Sequence, residues 1–199
     1  MIANLFTVLI TCLLLTTSCS TKIISTNYYQ EKKGTVDSIE SRYEKLSARK
    51  PFAIAFTDKK LNMISLEMIS DSLTRIYEFN SGEPRLGDTL LKFNYDTAGI
   101  YYLIRKMQQT KVTWINSVDY YVNDQPQQLI YLSIKPVTIR YLFSPPKYIA
   151  LGYFRTGQSF DEKGRLLDNR RTKQVRKIKG QVFYKITDRI CYTVTDKYR

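Results

Sequence analysis

The stretch VTWINSVDYYVNDQPQQLIYLSI, residues 112–134, decides the fold class. Two runs rich in Val, Ile, Tyr and Thr, residues 112–122 and 128–134, lie on either side of the turn-forming segment NDQP at 123–126. Such runs, bounded by Asn, Asp and Pro, are typical of strands joined by a short connection. A short connection joins antiparallel neighbours, because parallel pairs need long crossovers. The stretch therefore predicts an antiparallel pair of strands.

Similar strand-like runs lie on both sides of this pair, and many of them alternate apolar with polar residues. They cover residues 52–56, 64–68, 75–79, 90–95, 137–143, 148–155, 181–187 and 190–195. A short helix is the alternative for the run at 64–68, because Leu61, Ile64 and Met68 are three and four residues apart. Residues 80–88 contain two glycines and a proline, which predict a loop between two of the runs. A series of short runs separated by turn signals predicts a mostly antiparallel sheet.

Two segments have the three- and four-residue spacing of helices instead. The first covers residues 36–49, and Pro51 ends it. The second begins near Thr97, its expected N-cap, and ends near Gln109. Their apolar faces consist of Val36, Ile39, Tyr43 and Leu46 in the first and Ile100, Leu103, Ile104 and Met107 in the second. We therefore predict a single α+β domain, mostly antiparallel sheet with two helices, and a barrel-like curl of the sheet as an alternative.

The N-terminus has the pattern of an export signal. Residues 5–15, LFTVLITCLLL, form an uncharged apolar run that is too short to span a bilayer and matches the central region of a signal peptide. Thr16-Thr17-Ser18-Cys19 follows, and this segment resembles the lipobox of bacterial lipoproteins. The resemblance covers only the signal and Cys19, and it departs from the commonest pattern because Thr16 stands where Leu is usual. It implies that Cys19 is acylated and that residues 1–18 are removed.

This reading divides the chain into a signal peptide at residues 1–18, a flexible tether at 19–34 after the lipidated Cys19, and one domain at 35–199. Two alternatives remain for the N-terminus: a secretory signal cut near Ser18 or Ser20, and a retained N-terminal anchor. No acidic cluster follows Cys19, which favours the periplasmic face of the cell envelope over surface export.

The charge balance predicts an anionic partner. The chain has 31 Lys and Arg against 18 Asp and Glu, a net charge of +13. Because export makes nucleic acid an unsuitable partner, the candidates are anionic lipid, lipopolysaccharide, cell-wall polymer or an acidic envelope protein. The densest basic stretch is residues 170–179. The predicted anion-binding residues in and just before it are Arg165, Arg170, Arg171, Lys173, Arg176, Lys177 and Lys179. Alternatively, the stretch is a solvated loop or an edge strand whose lysines prevent pairing.

The residue types argue against common catalytic machinery. The chain has no His, which excludes Ser-His-Asp and Cys-His catalysis and most catalytic zinc sites. With Cys12 removed and Cys19 acylated, Cys191 is left as a single thiol, which we expect to be buried and inert. Carboxylate pairs can hydrolyse glycosides without His, and Glu67 and Glu78 are the acidic residues best placed to lie on strands. We assign no catalytic residue, metal or cofactor.

These observations predict a non-enzymatic, membrane-tethered binding or accessory module of the bacterial cell envelope that uses a basic surface. One alternative is a carboxylate-dependent enzyme that acts on cell-wall polymer or glycan. The other is a barrel-like carrier of an apolar ligand.

The lipobox resemblance makes a prediction for mass spectrometry of the mature N-terminus. We expect the first residue to be Cys19, with its mass raised by the attached acyl groups. An unmodified N-terminus near residue 19 would reduce the signal to a secretory one, and an intact residue 1 would indicate a retained anchor.

Overall fold

A computed structural model describes the backbone of residues 2–122, 125–139, 147–166 and 182–195, and the side chains within 21–120, 126–134, 148–166 and 182–195. In this part of the chain there are three helices and eight strands. The helices are α1 (Ile2–Ser47), α2 (Pro84–Lys92) and α3 (Thr97–Thr110). The strands are β1 (Phe52–Phe56), β2 (Met63–Ile69), β3 (Thr74–Asn80), β4 (Val112–Val122), β5 (Gln125–Ile139), β6 (Lys147–Phe154), β7 (Tyr184–Lys185) and β8 (Ile190–Thr195).

The strands form one antiparallel sheet in the order β3-β2-β1-β4-β5-β6-β8-β7. The α+β class with a mostly antiparallel sheet is therefore confirmed. The barrel-like alternative is wrong, because the sheet is open, with β3 at one edge and β7 at the other. The strand predicted at 181–187 is shorter than expected and covers two residues in β7, while residue 181 lies outside the described part.

The pair predicted from residues 112–134 is the centre of the sheet. β4 and β5 pair from Val112↔Ile134 to Val122↔Gln125. The separate strands expected at 128–134 and 137–143 form one strand as far as Ile139, and residues 140–143 lie outside the described part. The pairing of β5 with β6 shifts register between Ile134 and Thr138, around Pro136, which has no N–H to donate to the ladder.

The main core lies between one face of the sheet and the helices. Strand residues such as Ile54, Leu66 and Leu132 are fully buried and belong to the same cluster as the apolar faces predicted for the two helices. In α3 the predicted apolar face is confirmed. The N-cap, however, is Asp96 rather than Thr97, because the Asp96 carboxylate accepts a hydrogen bond from the Gly99 N–H at 2.8 Å.

The predictions for residues 80–95 are wrong where α2 lies. The expected loop at 80–88 and strand at 90–95 are replaced by the helix Pro84–Lys92. Pro84 occupies the start of the helix, where its fixed φ is favourable and its missing N–H is not needed. Leu86 and Leu90, four residues apart, are fully buried on one side of this helix.

The segment expected to be a flexible tether, residues 19–34, is helical in the structure. The helix predicted at 36–49 is the last part of the longer helix α1, which is continuous from Ile2 to Ser47. Ser25, Tyr28 and Tyr29 are buried at helical spacing. The hydroxyl of Tyr28 donates a hydrogen bond to the Thr110 carbonyl at 2.7 Å, so this part of the helix is fixed to the end of α3.

The burial of Tyr29 makes a prediction for stability. Its side chain is 1% exposed, so Tyr29→Ala is expected to lower the free energy of unfolding by about 3 kcal/mol or more, as for other buried aromatic truncations. Glu31→Ala is the matched control, since Glu31 is exposed on the same helix and its loss is expected to change stability by less than about 0.5 kcal/mol. Urea unfolding measures both. An unchanged midpoint for Tyr29→Ala would mean that this segment does not pack on the domain.

Candidate anion-binding groove

An open groove of about 500 Å³ lies between α1 and α3. The side chains that line it come from one face of each helix. They are Ser38, Ser41, Arg42 and Lys45 from α1, and Ala98, Tyr102 and Arg105 from α3. Three of the seven are cationic and three carry a hydroxyl group. The spacing of three and four residues explains why each set shares a face, because residues at that distance lie on neighbouring helical turns.

Close approach of the two helices forms one end of the groove. The guanidinium of Arg42 on α1 pairs with the N-cap carboxylate of Asp96 at 3.1 Å. A Cβ atom added at Gly99 would lie 2.9 Å from the Arg42 guanidinium and 2.7 Å from the Asp96 carboxylate. Glycine at this position therefore leaves the space in which Arg42 crosses the start of α3.

A hydrogen bond between hydroxyl groups also joins the two helices. The hydroxyl groups of Ser38 and Tyr102 lie 2.6 Å apart, and either can be the donor. The ring of Tyr102 also contacts the ammonium group of Lys106, which lies 5.8 Å from the ring centroid. Tyr102 thus links the polar lining of the groove to a fourth cation beside it.

Two of the groove cations have no acidic partner among the described residues. Lys45 and Arg105 are exposed, and neither forms an ion pair there. Arg42 is the exception, since Asp96 balances its charge. The groove therefore keeps an excess of positive charge, which attracts anions.

Cations beside hydroxyl donors suit phosphate, sulfate and carboxylate groups. A guanidinium can donate two parallel hydrogen bonds to such an anion, and an ammonium group adds a compact charge. The groove is open, so it is accessible to an anionic group on a larger partner. Sequence reasoning did not find it, because the two lining faces are separated by more than fifty residues along the chain.

Of the anion-binding residues predicted from the sequence, Arg165 lies within the described part of the chain. Arg165 follows a turn and forms an isolated β-bridge with Tyr184, and its guanidinium pairs with Asp161 at 2.7 Å. The hydrogen bond from the Arg165 backbone N–H, together with this pairing, holds the pKa of the Asp161 carboxyl below its ordinary value. Arg165 is therefore occupied by a local carboxylate. Arg170, Arg171, Lys173, Arg176, Lys177 and Lys179 lie outside the described residues. Cys19 is in α1, and its side chain is outside the described part.

A row of carboxylates, Asp37, Glu40 and Glu44, lies on another side of α1. Glu44 pairs with Arg155 at 3.5 Å, and Glu40 lies 3.9 Å from Arg189. Both arginines come from the region of β6 and β8, so these pairs connect α1 to the C-terminal side of the sheet.

Asp37 begins this row and accepts hydrogen bonds from two tyrosines. The hydroxyl groups of Tyr29 and Tyr153 each donate to it at 3.3 Å. Lys33 adds an ion pair at 2.6 Å. The ion pairs and hydrogen bonds of this carboxylate row therefore attach α1 to the sheet. Among the described residues, no group of three acidic or cysteine side chains is arranged to hold a metal ion.

The other two carboxylates that sequence analysis singled out lie on strands, as predicted. Glu67 on β2 pairs with Ile76, and Glu78 on β3 pairs with Ser65, so the two side chains share a face at the β3 edge of the sheet. Glu78 is exposed and Glu67 is half-buried. The carboxylate-enzyme alternative stays a prediction.

The sheet face opposite the helices has a second apolar cluster that contains Cys191. The Cys191 thiol is buried, as predicted. This burial raises the pKa of the thiol to about 12. Six polar oxygens buried on this face have no hydrogen-bond partner among the residues that the structure describes. They belong to Ser65, Asn116, Tyr120, Gln127, Ser133 and Thr193. An unpartnered buried group costs about 1–3 kcal/mol. These oxygens do not suit an apolar ligand, and the sheet is open rather than barrel-like, so the apolar-carrier alternative stays a prediction without support from this face.

Comparison with protein-family models, with curated proteins and with solved structures finds no match for this chain. Within the described residues, no helix combines the length and the apolar character needed to cross a membrane. The fold and the groove define an α+β protein with a basic, open cleft between two helices that pack on the same sheet face.

The carboxylate row makes a prediction about pH. Burial, followed by the neighbouring Glu44, raises the pKa of Glu40 above its ordinary value of 4.5, although Arg189 opposes the shift. When the pKa of a carboxyl is raised in the folded state, ionisation of that carboxyl lowers the free energy of unfolding. This loss of stability is absent when the pH is below the ordinary pKa, and it appears as the pH rises through the folded-state pKa. Glu40→Gln is therefore expected to raise the melting temperature at pH 7 but not at pH 4.

Thermal unfolding at the two pH values measures this effect. Glu162→Gln is the control, because Glu162 is exposed and the substitution removes the same charge. A Glu40→Gln protein that is less stable than the wild type at pH 7 would show that the Arg189 pair outweighs the burial of Glu40.

Proposed function

We propose that this protein is a non-enzymatic binding module of the bacterial cell envelope, anchored by a lipid on Cys19, and that the groove between α1 and α3 binds an anionic group of its partner. The observation that supports this proposal most strongly is the presence of two exposed cations, Lys45 and Arg105, without acidic partners among the described residues, beside the hydroxyl groups of Ser38 and Tyr102. The anchor rests on the signal pattern and on Cys19.

The groove is a second candidate for anion binding besides the basic stretch of the sequence. From the sequence, the stretch at 170–179 was the main candidate, with Arg165 as its extension. Arg165 is paired with Asp161, whereas the groove gathers its cations from two helices that the core holds in place. Because these helices are already fixed, little ordering of the backbone opposes the binding of an anion there. The groove is therefore the first site to test, and the stretch is the second.

The proposal predicts salt-sensitive binding to anionic envelope components. In the protein without lipid, residues 20–199, the double variant Lys45→Ser and Arg105→Ser is expected to bind vesicles of anionic phospholipid roughly thirty-fold more weakly, since each cation near such a surface contributes about 1 kcal/mol. Co-sedimentation over a series of salt concentrations measures this binding. The matched control is Lys59→Ser with Lys60→Ser, which removes two exposed cations from the β1–β2 turn.

A second variant separates the two basic surfaces. In it, Arg170, Arg171, Arg176 and Lys177 are replaced with Ser. If this variant loses binding while the groove variant keeps it, the anion site lies in the stretch and not in the groove. If both variants bind as tightly as the control, neither surface binds anionic lipid, and the same variants are then compared on isolated envelope fractions for retention by cell-wall polymer or protein.

A further inference from the structure

The packed part of α1 begins very close to Cys19. Thr21, the second residue after Cys19, is 9% exposed, and its side chain forms a hydrogen bond with Tyr192 on β8. Ser25, one turn later, is fully buried. Two residues of helix advance only about 3 Å along the axis. A lipid on Cys19 would therefore be attached almost directly to the folded domain.

The same turn of α1 exposes two large apolar side chains. Ile23 is 52% exposed on the side of the helix opposite the buried Thr21 and Ser25, and Ile24, at the flank of the same turn, is 38% exposed. Lys22 beside them is also exposed. Positions 19 and 23 are four residues apart, so they lie on one face of the helix in successive turns.

We propose that the first turn of α1 after Cys19 is a membrane-contact surface, in which Ile23 and Ile24 lie in the bilayer interface and Lys22 contacts anionic head groups. This inference rests on the acylation of Cys19 in the proposed function. The occupant of the apolar surface is the lipid leaflet that holds the acyl chains, because Ile23 lies one helical turn after position 19 on the same face of α1. Apolar side chains of interfacial helices enter the boundary between head groups and acyl chains in this way.

This contact sets the orientation of the domain. A lipid chain followed by a flexible segment would let the domain swing, whereas a helix packed from Thr21 onward and seated through Ile23 and Ile24 holds it at the membrane in one position. The groove on α1 begins at Ser38. At 1.5 Å per residue this point is roughly 30 Å along the helix from Cys19. The groove is thus kept at a fixed distance from the anchor.

Depth-dependent fluorescence quenching tests the contact. The acylated full-length product, purified from membranes, is prepared with Ile23→Cys and labelled with bimane. Leu91→Cys is the control, because Leu91 is also a large apolar side chain exposed on a helix, α2. Native Cys191 is buried, and its raised pKa keeps it unreactive, while acylation blocks the Cys19 thiol. Both labels replace exposed side chains, so the core is unchanged.

The labelled proteins are placed in vesicles whose phospholipid has a quencher high on the acyl chain. At position 23 the bimane is expected to lose fluorescence roughly two-fold, and at position 91 it is expected to keep it. If mass spectrometry shows an acylated Cys19 and position 23 is quenched no more than position 91, the membrane contact is wrong while the lipid anchor stands. If Cys19 is unmodified, both the anchor and the contact built on it are wrong.

Discussion

The hydrogen bonds of buried tyrosines along α1 hold this fold together. Tyr28 donates to the Thr110 carbonyl at the end of α3, and Tyr43 donates to the Phe52 carbonyl on β1 at 2.5 Å. Each ring buries apolar area while its hydroxyl group satisfies a backbone acceptor. Burial raises the pKa of both phenols, so they stay neutral donors. The position of α1 fixes the groove, the carboxylate row and the distance between the domain and Cys19.

Sequence patterns predicted most of the sheet because its strands alternate or carry β-branched and aromatic runs between clear turns. The strand at 190–195 and the helix near Thr97 were predicted to within a residue or two. The helix α2 was missed because Gly82, Pro84 and Gly87 suggested a loop. Pro84, however, stands at the first turn of the helix, where proline is favourable.

The helical character of residues 19–34 was missed for a different reason. Its buried stripe consists of Thr21, Ser25, Tyr28 and Tyr29, which a search for apolar periodicity does not count as a core face. Ser25 donates to the Thr21 carbonyl at 2.6 Å, so its hydroxyl group is satisfied within the helix. The groove could not be predicted because it depends on two helices that meet only in three dimensions. The one signal in the sequence was the helical spacing of Ser38, Arg42 and Lys45.

The central claim is that the domain is ordered from Thr21 onward, so that no flexible segment separates it from Cys19. Native-state hydrogen exchange of the backbone amides at residues 25–34 tests this claim most directly. We expect these amides to exchange as slowly as those of α3, because both helices belong to one packed core. Exchange at the rate of an unstructured chain in this segment, with α3 still protected, would contradict it.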